Sequence, residues 1–104
     1  MSSTVEITHD SVEAALRAVG GEREQRWNSR NEEAQDAYVQ RLQEGSAEPA
    51  ELSALLVDPE AFELWASVHW LLRAEFCAWI NEGRTRFTRR RRAAFALRQA
   101  PTDN

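Results

Sequence analysis

Six arginines fall within residues 83–92, "GRTRFTRRRR". A guanidinium is permanently charged and planar, and its forked donors match a carboxylate or phosphate two bonds at a time. Thr88 stands where an N-cap would open a last helix through "RRRRAAFALRQA", ending before Pro101. Arg84, Arg86, Arg89, Arg90, Arg91 and Arg92 therefore surround the positive end of that helix, where each cation opposes the helix dipole by about 0.3–1 kcal/mol. The arrangement calls for negative charge nearby. The protein's own acids, such as Glu75, Glu82 or those of an earlier helix, would supply it, and so would an outside anion held by helix N–H groups and arginine forks. On the second reading the anion- or partner-binding residues are Arg84, Arg86, Thr88, Arg89, Arg91 and Arg92.

The remaining chemistry-bearing residues are scattered. His69 lies on an apolar seam and reads as a hydrogen-bonded core histidine, and His9 as a loop residue ahead of the first helix. With no carboxylate cluster at ligand spacing, the two histidines do not spell a metal site. Cys77 follows His69 by eight residues, about 12 Å along a helix axis, too far for a thiolate–imidazole pair. It reads as a small buried apolar residue. No Gly-rich phosphate loop, nucleophile elbow or deaminase motif is present, and no acid stands where burial would tune it for catalysis. The residues call for neither an enzyme nor a cofactor.

The elements that must position the arginines are helical. Asp10 and Glu13 have the spacing of a capping box, ahead of an apolar stripe of Val12, Ala15, Leu16 and Val19 that Gly20 and Gly21 stop. Residues 22–44 contain no Gly or Pro and predict one long polar helix with Trp27, Ala34, Tyr38 and Leu42 on its inner face. Pro49 opens a short helix, and Asp58 with Pro59 opens the next. From there Phe62, Trp65, His69, Leu72, Phe76 and Trp79 recur at spacings of three and four, predicting one central apolar helix over about 59–82 that Gly83 ends. Its aromatics read as core or as a partner interface. Trp70 falls off the seam and is the expected exposed ring, with Trp65 a second interface candidate. Ala93, Ala94 and Leu97 are the expected docking face of the last helix.

Length and composition fit this plan. A chain of 104 residues makes one domain that buries roughly 65% of its unfolded surface, and 42% hydrophobic content with four tryptophans argues against wholesale disorder. The expected organisation is an all-α bundle of four or five helices over residues 9–100, with tails at 1–8 and 101–104. Residues 1–83 carry 16 acids and 6 arginines, net −10, while residues 84–104 carry 7 arginines and one acid, net +6. The chain is thus an acidic body with a basic end, and all its basic residues are arginine, as GC-rich coding would produce. A single cysteine excludes an internal disulfide and suits a reducing cytoplasm. The start, "MSSTVEITHDS", has no basic n-region or apolar h-region, so no secretory signal is expected. Glu63, His69, Arg73 and Glu75 interrupt the apolar stretch 61–80, so no membrane span is expected.

Residues 49–97, "PAELSALLVDPEAFELWASVHWLLRAEFCAWINEGRTRFTRRRRAAFAL", resemble the C-terminal segment of the bacteriocin-protection (YdeI/OmpD-associated) proteins. The likeness rests on Pro49, Leu52, Asp58, Pro59, Glu60, Ala61, Arg73, Glu75, Phe76, Trp79, Ile80, Gly83, Arg84, Thr88, Arg89, Arg91 and Arg92. This chain departs from the pattern in running "SVHWLLR" where members have a Ser-Pro-like break, and in having Gly83–Arg84 where they have Ala-Lys. Larger members carry an N-terminal β-containing domain, for which these residues give no expectation. The resemblance implies a bacterial accessory or stress-protection protein without catalytic residues; the arginine edge points to an unidentified protein or anionic partner, and the wide apolar face of the central helix to a homodimer as the other use of that face. A nucleic-acid-binding module using residues 84–92 is the alternative. The −10 body repels a polyanion and weighs against it.

Overall fold

A computed structural model describes residues 6–103, and among them the chain is all-α: seven helices and no strand. Residues 1–5 of the expected N-terminal tail and residue 104 lie outside the described residues. The helices group into two compact units, one ending at Glu44 and the other beginning at Gly45.

The first unit holds α1 (His9–Val19), α2 (Gly21–Ser29) and nearly all of α3 (Glu32–Gly45). Thr8, not Asp10, caps α1. Its hydroxyl accepts from Ser11 N at 3.1 Å while Ser11 Oγ accepts from Thr8 N at 2.9 Å, a reciprocal box that leaves Glu13 free to pair with Arg17 at 2.7 Å. Gly20 and Gly21 turn the chain with φ of 68° and 67°, the left-handed region that glycine enters without a Cβ penalty. The first-helix stripe is as expected, with Val12, Ala15 and Leu16 buried. His9 belongs to α1 and is no loop residue. Its ring lies 5.0 Å from that of Trp27, which meets Tyr38 edge-on at 5.9 Å. The long helix expected over 22–44 is two helices, interrupted at Arg30 and Asn31. Arg30 is extended (ψ 144°), and Asn31 Oδ1 accepts from Ala34 N at 2.9 Å, so an Asn side chain restarts the helix where periodicity alone runs on.

The second unit is α4 (Ala50–Leu55), α5 (Pro59–Ala66), α6 (Trp70–Asn81) and α7 (Arg86–Asp103). Asp58 caps α5 through Ala61 N at 3.0 Å with Pro59 at its first position, as expected. The single central helix over 59–82 is not formed. Ser67 closes α5, its hydroxyl donating to Leu64 O at 2.7 Å, and His69 Nδ1 accepts from Leu71 N at 3.1 Å to open α6. Two polar side chains flanking Val68 thus satisfy the backbone groups freed by a bend, and His69 is a cap instead of a seam residue.

Helix α7 packs against α4, α5 and α6. Its buried face is Ala93, Ala96 and Ala100, all fully inaccessible, while the expected Ala94 and Leu97 are only half-buried. Spacings of three and four among small residues let α7 lie close against its neighbours. The remaining core is Leu52, Trp65, Val68, Leu71, Leu72, Cys77, Ala78 and Ile80. The helix also continues through Pro101, where the sequence places its end. Proline removes one hydrogen bond there, only a turn from a terminus whose carbonyls already lack partners.

Candidate functional site

The loop from Glu82 to Thr85 delivers the arginines to the start of α7, three positions earlier than a Thr88 cap predicts. Thr85 does the work assigned to Thr88: its Oγ1 accepts from Thr88 N at 3.1 Å, and its hydroxyl donates to Thr88 Oγ1 at 3.0 Å. Gly83 has a packing reason to be glycine. A Cβ there would come within 2.8 Å of Arg89 Cγ and 3.1 Å of Ile80 O.

That space lets Arg89 turn back into the fold. Its Nε and Nη2 donate to Glu51 Oε2 and Oε1, each at 3.0 Å, and its Nη1 donates to Asn81 O at 3.1 Å. Nη2 also reaches Asn81 Oδ1 at 3.3 Å, and Asn81 Nδ2 donates to Gly45 O and Ala47 O at 2.8 Å. The Arg89 hydrogen bonds hold the Glu51 carboxyl below the usual carboxylate range, helped by its own backbone N–H and by the field of Arg86, while Glu51 raises Arg89. Arg89 is therefore a structural fork between α7 and α4. Sequence could not pair it with Glu51, 38 positions away.

Arg92 is engaged as well. Its Nη1 donates to Trp79 O at 2.6 Å and its guanidinium lies 5.0 Å from the Trp79 ring centroid. Arg91 sits over the Phe87 ring at 5.7 Å. Arg84, Arg86, Arg90 and Arg91 are exposed and form no ion pair among the described residues. The run thus splits into two inward anchors and four outward charges.

The structure adds Trp79, Phe95 and Arg98 to the basic edge. Trp79, Thr88, Arg91, Arg92, Phe95 and Arg98 line an open groove of about 400 Å³. Positions 88, 91, 92, 95 and 98 are one stripe of α7 at spacings of three and four, a pattern visible in the sequence but masked by the denser run before it. Phe95 meets Trp79 edge-on at 5.6 Å and stays 42% exposed. Of the two interface aromatics expected from sequence, Trp65 is core, at 5% exposure, and Trp70 is half-buried with its ring 5.9 Å from His69. The exposed large apolar side chains are instead Leu55, Val57, Phe62, Leu64, Phe87 and Phe95.

Among the described residues no three His, Cys, Asp or Glu side chains gather as metal ligands, and no helix is long and apolar enough to cross a membrane. Burial pushes the Cys77 thiol up to about 11, with Glu48 adding to the rise and Arg73 opposing it. No protein-family model, curated protein or solved structure matches the chain.

Proposed function

We propose that this chain is a non-enzymatic interaction protein that holds an acidic protein partner through the basic edge of α7. The role would be accessory or stress-protective, as the likeness of residues 49–97 to the bacteriocin-protection proteins implies. One observation carries the reading: Arg84, Arg86, Arg90 and Arg91 are exposed and form no ion pair among the described residues, although the fold neutralises Arg89 a turn away. Exposed guanidinium groups at a helix start leave positive potential that an acidic surface would lower.

The Trp79 and Phe95 rings among arginines favour a second reading, a single-stranded nucleic-acid platform, since bases stack on exposed aromatics beside cations. Anisotropy with three labelled probes separates the two: a twelve-residue Glu/Asp peptide, a Gly/Ser peptide of equal length, and a single-stranded oligonucleotide. The account expects the acidic peptide alone to bind, and at least about tenfold weaker binding after Arg84→Glu/Arg91→Glu, roughly 1.4 kcal/mol. Tighter binding of the oligonucleotide, with a steep loss on adding salt, would move the assignment to nucleic acid.

A further inference from the structure

The second unit carries two unpartnered surfaces of opposite character. One is the α7 groove: Phe95 and Trp79 form its apolar floor, Arg92 is fixed on Trp79, and Arg91 and Arg98 are exposed and free of ion pairs among the described residues. The other is the outer flank of α5. Glu60 and Leu64 lie one turn apart on α5 with Glu63 beside them, and Val57 stands in the turn that precedes the Asp58 cap. Val57 is 82% exposed and Leu64 50%, while Glu60 and Glu63 are exposed and form no ion pair among the described residues. The groove joins an aromatic floor to two cations, and the flank joins exposed aliphatic side chains to two anions.

We infer that the groove receives the Glu60–Glu63–Leu64 flank of α5, together with Val57 of the turn before it, from a second copy of this chain. Val57 and Leu64 lie against Phe95 and Trp79, and Glu60 and Glu63 meet Arg91 and Arg98. Charge selects this occupant. Apolar flanks elsewhere, such as Phe62, do not bring two unpaired acids with them on the same stripe. The contact joins two different patches, so it closes as a reciprocal pair or a ring, or grows with concentration. The inference rests on the reading of the α7 edge as an anion-binding surface and names the partner of its groove.

Charge exchange tests it. Sedimentation velocity is run on wild type, on Arg91→Glu/Arg98→Glu, on Glu60→Arg/Glu63→Arg and on an equimolar mixture of the two variants, with circular dichroism confirming helix content. A Leu64→Ser variant removes the apolar contact without altering charge. The expected result is self-association of wild type, at least about tenfold weaker in each charge variant and in Leu64→Ser, and restored in the mixture. A wild type that stays monomeric to about 1 mM, or associates equally well in all variants, overturns the inference. If Glu60→Arg/Glu63→Arg still binds the acidic peptide while wild type stays monomeric, the anion-binding reading survives and only the second copy is lost. If neither association nor peptide binding occurs, both fall.

Discussion

Arg89 and Glu51 form the interaction in which local chemistry reaches furthest into the fold. Both oxygens of one carboxylate are held by one guanidinium, with side-chain exposures of 26% for Arg89 and 18% for Glu51, and Asn81 O accepts a further bond from Arg89 Nη1. Because the folded carboxyl lies below its unfolded value, the unfolded chain takes up the proton first as pH falls. The stabilisation is therefore complete above the ordinary glutamate value of about 4.3 and is lost as pH drops through the lower folded value. Glu51→Gln should lower the melting temperature at pH 7 and flatten its dependence on pH in the acid range. Melting curves that remain parallel to wild type from neutral to acid pH would contradict this. At Cys77 the raised thiol and the buried side chain act together. Native protein at pH 8 should resist iodoacetamide, and denatured protein should react at the ordinary rate of a free thiol. That the arginines would matter was legible in their density. Which of them turn inward was not, because it depends on contacts with Glu51 and Trp79 that no local pattern encodes.

At the level of helices, the legible signals were the strong local ones. Asp58–Pro59, Pro49 and the Gly20–Gly21 pair stand at element boundaries as the sequence predicts, and the Val12–Ala15–Leu16 face is buried as its spacing requires. The two breaks were hidden because hydrophobic periodicity continues across them. Only an Asn cap at 31 and a Ser–His pair around Val68 divide the helices, and these residues also occur inside helices. The seam expected from Phe62 to Trp79 therefore belongs to two helices, which is why Phe62 ends exposed and Trp65 ends buried. The docking face of α7 was misplaced by a similar margin. Ala93 was expected and is buried, but Ala96 and Ala100 complete the face in place of Ala94 and Leu97. Ala96→Leu should cost about 1–3 kcal/mol through overpacking, measurable by urea unfolding, whereas Ala94→Leu at a half-buried position should cost clearly less. The reverse order would mean that α7 presents a different face.

Across the whole chain, charge is segregated along the sequence, −10 over residues 1–83 and +6 over residues 84–104. The fold neutralises that contrast at Arg89 and leaves it standing at Arg84, Arg86, Arg90, Arg91 and Arg98 among the described residues. On the proposed reading, the groove with its aromatic floor and the exposed cations beside it would serve as a surface for recognition. The all-α class and the basic edge were readable from composition and spacing. The groove was not, since it needs α6 to bring Trp79 beside a stripe of α7. The central claim is that most of these guanidinium groups are available to another molecule. Arginine Nε–Hε spectra by NMR, recorded during titration with the acidic peptide, test it most directly. The account predicts a protected Arg89 signal in the free protein that peptide does not move, exchange-broadened signals from the outward arginines, and shifts on titration at Arg91 and Arg98. Protected signals from every arginine of the edge before any peptide is added, with no shift afterwards, would contradict it.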